Sequence, residues 1–177
     1  TGGPSGGCLP AEMLDMEVDF DSLSEAGSMM GSGGMIVMND KTCMVDVASY
    51  FIDFLMDESC GRCTACREGL FHVNKILTRI CGGEGREGDI EALEDLCSTI
   101  RDTSLCDLGG SAPNPVLSTI KYFRDEYEEH IKEGKCRAGV CKALVTYSID
   151  PENCTGCRAC ALACPVEAIT GEKNKTH

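Results

Sequence analysis

Fourteen cysteines in 177 residues are the side chains of this sequence best suited to chemistry. Cys60, Cys63 and Cys66 form a C-x2-C-x2-C run inside residues 58–69, Glu-Ser-Cys-Gly-Arg-Cys-Thr-Ala-Cys-Arg-Glu-Gly. Three thiolates that close can hold three corners of an iron–sulfur cubane, and the fourth must come from elsewhere. Cys106, in the non-helical stretch 103–109, is the best fourth donor. Gly61 and Gly69 suit the positive φ and close backbone approach that wrapping a cluster demands. Backbone N–H groups of such a loop can also donate to cluster sulfurs and tune the potential. A four-cysteine zinc site or a pair of disulfides would use the same residues. Zinc motifs more often pair two separated C-x2-C knuckles, so the run leans towards a [4Fe–4S] cluster.

The second group is Cys154, Cys157, Cys160 and Cys164, followed by Pro165. This is C-x2-C-x2-C-x3-C-P, the bacterial ferredoxin run and the most specific signal in the chain. In two-cluster ferredoxins the first three cysteines serve one cluster and the fourth serves the other. The partner motif is absent from these residues, so the half-site is expected to be intact in a longer polypeptide and labile or empty here. The C-terminal end, and a Gly-rich start without Met, are both expected to be cut points within such a polypeptide.

The elements that must position these cysteines follow from apolar periodicity. Met44, Val47, Phe51 and Leu55 lie at helical spacing, with Asn39 or Asp40 as the expected N-cap. Leu70, Val73, Leu77 and Ile80 form a second stripe ended by Gly82-Gly83. Asp89 caps an expected third helix carrying Ile90, Leu93, Cys97 and Ile100. Pro115 opens a fourth with Val116, Ile120, Phe123, Tyr127 and Ile131. Short loops make this an antiparallel bundle, which places the loop of Cys60, Cys63 and Cys66 at the same end as Cys106. At the opposite end, His130, Cys136 and Cys141 offer three-quarters of a tetrahedral zinc site, with Cys43 at the start of the first helix as the fourth ligand. The plainer reading is a helix-end His favoured by the helix dipole, beside two reduced linker thiols. Cys81 and Cys97 read as core thiols; Cys8, His72 and His177 have no assigned role or partner.

Residues 1–40 are Gly-rich, and residues 35–38 read as a strand before the turn signal Asn39-Asp40. Neither Gly-rich stretch matches a P-loop or G-x-G-x-x-G opening a helix, so a small β-rich unit is favoured over a nucleotide cradle. Residues 143–149 read as another short strand. The organisation is α+β: residues 1–40, a four-helix bundle over 41–133, a linker over 134–149 and a half-ferredoxin over 150–177.

With 29 acidic against 16 basic residues, the net charge of -13 repels phosphate backbones and anionic membranes. No apolar run approaches the roughly 18 residues of a membrane span, and no signal peptide is evident. Free cysteines in this number fit a reducing, cytoplasmic setting better than a disulfide framework.

Gly-Gly-Pro-Ser-Gly-Gly-Cys-Leu-Pro at 2–10, Gly-Ser-Met-Met-Gly-Ser-Gly-Gly at 27–34, the run at 58–69, Ser-Leu-Cys at 104–106 and Ala-Pro-Asn-Pro-Val-Leu-Ser-Thr at 112–119 together carry a resemblance. The chain resembles the NADH-binding flavoprotein subunits of complex I and of NAD(P)-linked, electron-bifurcating [FeFe]-hydrogenases. Cys-Arg-Ala-Gly-Val-Cys at 136–141 and the ferredoxin run tilt it towards the hydrogenase β or C subunit. The resemblance implies a β-grasp (ubiquitin-like) piece ending in residues 1–40, then a four-helix [4Fe–4S] bundle and a ferredoxin tail. It implies FMN and NAD(P) in an upstream part with no match here, which leaves catalytic residues unassignable. It also implies partner subunits, among them a thioredoxin-like [2Fe–2S] subunit and a hydrogenase catalytic subunit, with ferredoxin as a further acceptor. Two other functions use the same residues: a zinc-structured interaction module, or a thiol–disulfide sensor built on Cys60 and Cys63.

Overall fold

The computed structural model describes residues 1–173 and 175. Asn174, Thr176 and His177 lie outside the described residues, and with them the reading of His177 as unpartnered. The chain divides into two units, Thr1–Val145 and Thr146–His177.

The first unit is helical. A short α1 (Phe20–Glu25) precedes α2 (Met44–Glu58), α3 (Thr64–Cys81), α4 (Asp89–Thr103), α5 (Asp107–Ser111) and α6 (Asn114–Glu128). The four long helices close a ring: α2 packs on α3 and α6, and α4 packs on α3 and α6. Leu70, Val73, Leu77 and Ile80 of α3, with Ile90, Leu93, Cys97 and Ile100 of α4, are buried at the expected positions. Each fully buried aliphatic side chain contributes about 2 kcal/mol, so this seam outweighs any difference in helix propensity. Gly69 lets the seam close, since a Cβ there would sit 2.5 Å from Ile100 Cγ1.

Several expectations need correction. Helix α2 buries Met44, Val45, Ala48, Ile52 and Leu55, while Val47 and Phe51 are only half-buried. Its N-cap is Cys43, and neither Asn39 nor Asp40 serves; the Glu126 carboxylate from α6 accepts the Met44 N–H at 2.9 Å. Asp89 sits in the first turn of α4, after Gly88 at φ +89°, where it accepts the Arg86 N–H at 2.8 Å and pairs with Arg79. Helix α6 kinks at Phe123 (φ -133°, ψ 33°) and runs into a π-helical turn, Glu129–Glu133.

No strand is present among the described residues, so the structure does not show the β-grasp piece. Met35, Ile36 and Val37 are more than 60% exposed, and a lone apolar run without partner strands has no ladder to join. The segment 143–149 is likewise unpaired: it passes through a short 3-10 turn, Lys142–Leu144, into irregular chain. The N-terminal segment instead straps along α6. The Ser118 hydroxyl oxygen accepts the Cys8 N–H at 2.9 Å, Asn114 donates to the Ser5 carbonyl at 3.1 Å, and Tyr122 donates to the Ala26 carbonyl at 2.6 Å.

The second unit carries one short helix, α7 (Ala159–Ala163), among turns. Arg158 enters it at φ +64°.

Candidate metal centres

At one end of the bundle, α2 stops at Glu58 and the chain turns through Gly61 at φ +71° into α3. Cys63 is the N-cap of α3, and Cys66 is buried in its first turn. Cys106 caps α5 from the loop after α4. Cys60, Cys63, Cys66 and Cys106 line one cavity of about 90 Å³, walled by Glu58, Ser59, Ser104 and Leu108. Cys60 and Cys106 are exposed, and Cys63 is half-buried. The first amides of α3 have no acceptor within the helix, so donors are available beside the thiols. Arg67 donates to the Gly61 carbonyl at 2.5 Å and ties the loop to α3. A small, partly apolar cavity that four thiols share from two loops has the donor chemistry of an iron–sulfur cluster.

At the other end, Cys43, His130, Cys136 and Cys141 are all buried, with ligand atoms within 4.8 Å of one another. The Cys43 sulfur lies 3.3 Å from His130 Nε2 and 3.8 Å from the Cys141 sulfur. His130 Nδ1 donates to the Glu126 carbonyl at 2.7 Å, which leaves Nε2 with a free lone pair facing the sulfurs. The neighbouring Cys141 thiol and burial push the Cys43 thiol up. Burial pulls His130 down, but its contact with Cys43 outweighs that and raises it. Burial likewise pushes the Cys136 thiol up, and the amides of Cys141 and Val140 overcome this and lower it. At Cys141 the Cys43 thiol pulls down, while the Cys81 thiol and burial prevail and push it up. Crowded buried thiols ionise together only when a cation replaces their protons. Three thiols and an imidazole this close have the composition of a tetrahedral zinc site.

In the second unit Cys157 is exposed, and Cys154, Cys160 and Cys164 are half-buried. The Ala168 N–H donates to the Cys164 sulfur at 3.3 Å. Backbone donors, led by Val166 at Cys164 and Ala159 at Cys157, lower both thiols.

Residues 46–130 match the family described as the NADH-ubiquinone oxidoreductase-F iron–sulfur binding region. That match spans the bundle from α2 to His130. Residues 147–170 match the 4Fe-4S binding domain. The chain is 52% identical over its whole length to the HndC subunit of the NADP-reducing hydrogenase of Solidesulfovibrio fructosivorans, of which it covers 36%. Over 76% of its length it is 47% identical to the F 2 subunit of the NADH-quinone oxidoreductase of Rhizobium meliloti (strain 1021), covering 32% of that protein. The chain therefore spans about a third of the length of these relatives. A chain of the NAD+-reducing [NiFe]-hydrogenase in its H2-reduced state superposes with a TM-score of 0.67 at 32% identity, over 75% of this chain and 22% of that one. The iron–sulfur character read from the cysteine spacing is thus shown at the level of the family. No described helix is long and apolar enough to cross a membrane.

Three contributors were not legible in the sequence. Glu126 caps α2 with its carboxylate and orients His130 with its carbonyl, and it lies among the acidic residues Asp125, Glu128 and Glu129. Ser59 sits 3.4 Å from the Cys66 sulfur. Cys81 is half-buried, and its sulfur lies within 4.8 Å of Cys141 and Asp46 ligand atoms, beside the Cys43 group. Only the i,i+4 spacing of Glu126 and His130 hinted at any of these.

Proposed function

We propose that this chain is the electron-relay part of an NAD(P)-linked flavin and iron–sulfur oxidoreductase subunit, with Cys60, Cys63, Cys66 and Cys106 as the [4Fe–4S] ligands. The observation that carries this reading is the convergence of three closely spaced thiols and a fourth from a distant loop on one cavity. When bound, the cluster supplies one-electron storage between FMN in the upstream part of the parent subunit and its partner centres. The chain's own residues hold it, exclude water from the Cys66 and Leu108 side, and fix the loop through Arg67 and Gly61. Relatives named as subunits of NADP-reducing hydrogenase and NADH-quinone oxidoreductase support partners that are other members of such a complex; in our reading these are a thioredoxin-like [2Fe–2S] subunit and a hydrogenase catalytic subunit, with ferredoxin as a further acceptor. The likeness to the hydrogenase relative runs over the whole chain, ferredoxin tail included, which favours that branch. A reducing, cytoplasmic setting keeps all fourteen thiols free.

In the same reading Cys43, His130, Cys136 and Cys141 hold one zinc that staples residues 136–141 to the bundle. Cys154, Cys157, Cys160 and Cys164 contribute to ferredoxin clusters. The run at 35–38 becomes a β-grasp strand when partner strands are supplied.

The test is iron, acid-labile sulfide and zinc per chain on anaerobically prepared protein, with electron paramagnetic resonance after dithionite. About four iron and four sulfide, with a reduced signal lost in Cys106→Ala, supports the relay. About one zinc alongside supports the second site. Iron near eight would show the half-site closing by itself. Zinc without iron, after reconstitution, would leave a structural interaction module.

A further inference from the structure

We infer that Ser59 is a positioning residue that hydrogen-bonds the ligating sulfur of Cys66 and holds the cluster's potential up. This rests on the cluster reading above and goes beyond its four ligands.

Ser59 closes α2, with its own N–H directed at the Met56 carbonyl, and its side chain is half-buried on the cavity wall. Its Oγ lies 3.4 Å from the Cys66 sulfur. The direction of that bond follows from the other partners. The Gly61 N–H donates into the same Oγ at 3.3 Å, which occupies a lone pair and leaves the hydroxyl proton free. A sulfur bonded to iron carries no proton and can only accept. The other hydroxyl on the cavity wall, Ser104, spends its proton on the Ile100 carbonyl at 2.6 Å. Among the described residues of the wall, Ser59 is therefore the hydroxyl with a proton to give.

A donor to a cysteinyl sulfur binds the reduced, more negative state more strongly than the oxidised one and so raises the midpoint potential. Cys66 is the buried member of the cavity's cysteines. A hydrogen bond there is less diluted by water than one to Cys60 or Cys106.

The competing role for Ser59 is purely structural, as acceptor for Gly61 in the turn. The test is a redox titration followed by electron paramagnetic resonance on the whole chain, reconstituted with iron and sulfide, for wild type, Ser59→Ala and Ser59→Thr. Full iron and sulfide in Ser59→Ala with a lower midpoint, restored by Ser59→Thr, is the expected result. A fully loaded Ser59→Ala with an unchanged or higher midpoint overturns the proposal alone. Absence of iron from the reconstituted wild type would sink the cluster reading, and this proposal with it. If Ser59→Ala does not retain iron, Ser59→Gly is titrated in its place: a lower midpoint supports the bond, and an unchanged or higher one overturns it.

Discussion

Arg62 and Arg67 bracket Cys63 and are the cationic side chains nearest Cys60, Cys63 and Cys66 in sequence. Both are exposed, and Arg67 is tied to the Gly61 carbonyl and to Glu68 at 2.9 Å. Their charge favours the more negative, reduced state, so replacing both with Gln should lower the midpoint potential in a redox titration. An unchanged or higher value would remove them from the tuning set. Cys97 shows the opposite environment. It is completely buried, and desolvation pushes its thiol up to about 12. The folded value is raised, so the stabilisation from keeping it neutral is complete below the ordinary thiol value of 9.0 and is lost as pH climbs towards 12. Iodoacetamide at pH 8 should therefore leave Cys97 unmodified in the folded chain and label it after unfolding; mass spectrometry reads the difference. Cysteine spacing made the residues of the candidate centres legible. The hydroxyl and carbonyl groups that orient them were not, because a single Ser or Glu carries no spacing signal.

At the scale of elements, legibility depended on how sharply each helix separates its faces. The apolar residues of α3 and α4 sit between polar ones, and the stripes at 70–80 and 90–100 are the buried ones. Helix α2 carries Met, Val, Ala, Tyr, Phe, Ile and Leu on nearly every side, so several stripes fit its sequence. Packing against α3 and α6 selects the one containing Ala48 and Ile52. Helix α5 has two glycines in five residues and no apolar period to reveal it. Strands failed for a different reason: period-2 apolar runs mark the capacity to pair, and nothing in the described residues pairs with 35–38. Gly69→Ala should force α3 from α4, because the added Cβ meets Ile100. A loss of about 1–3 kcal/mol in denaturant unfolding is expected, with weaker retention of iron because Cys66 rides on α3. Asp89→Ala removes the acceptor of the Arg86 N–H and the partner of half-buried Arg79. With Arg79 partly solvated, about 2 kcal/mol of destabilisation is expected, measured the same way.

At the scale of the molecule, the acidic surface and the two units set what the chain can meet. A charge of -13 favours partners with basic docking faces. The antiparallel topology puts candidate metal sites at opposite ends of one bundle, which the sequence made visible through helix count alone. Their occupancy should separate experimentally. A zinc chelator should lower the melting temperature of the bundle while leaving the reduced iron signal of freshly prepared protein in place. Cys106→Ala should do the reverse, abolishing the signal and leaving zinc content unchanged. Loss of both on either treatment would show that the two ends are not independent.

The contact between Cys43 and Cys141 spans 98 positions of the chain and brackets almost the entire bundle. Closing a loop of that length in a flexible chain costs about 4 kcal/mol of entropy. A bond through a shared ion would remove that freedom from the unfolded ensemble and act as a reversible cross-link. The last donor, Cys141, leaves the ribosome only after all four long helices have been made. Ion capture would thus be a late event in biogenesis, a seal on a bundle already assembled.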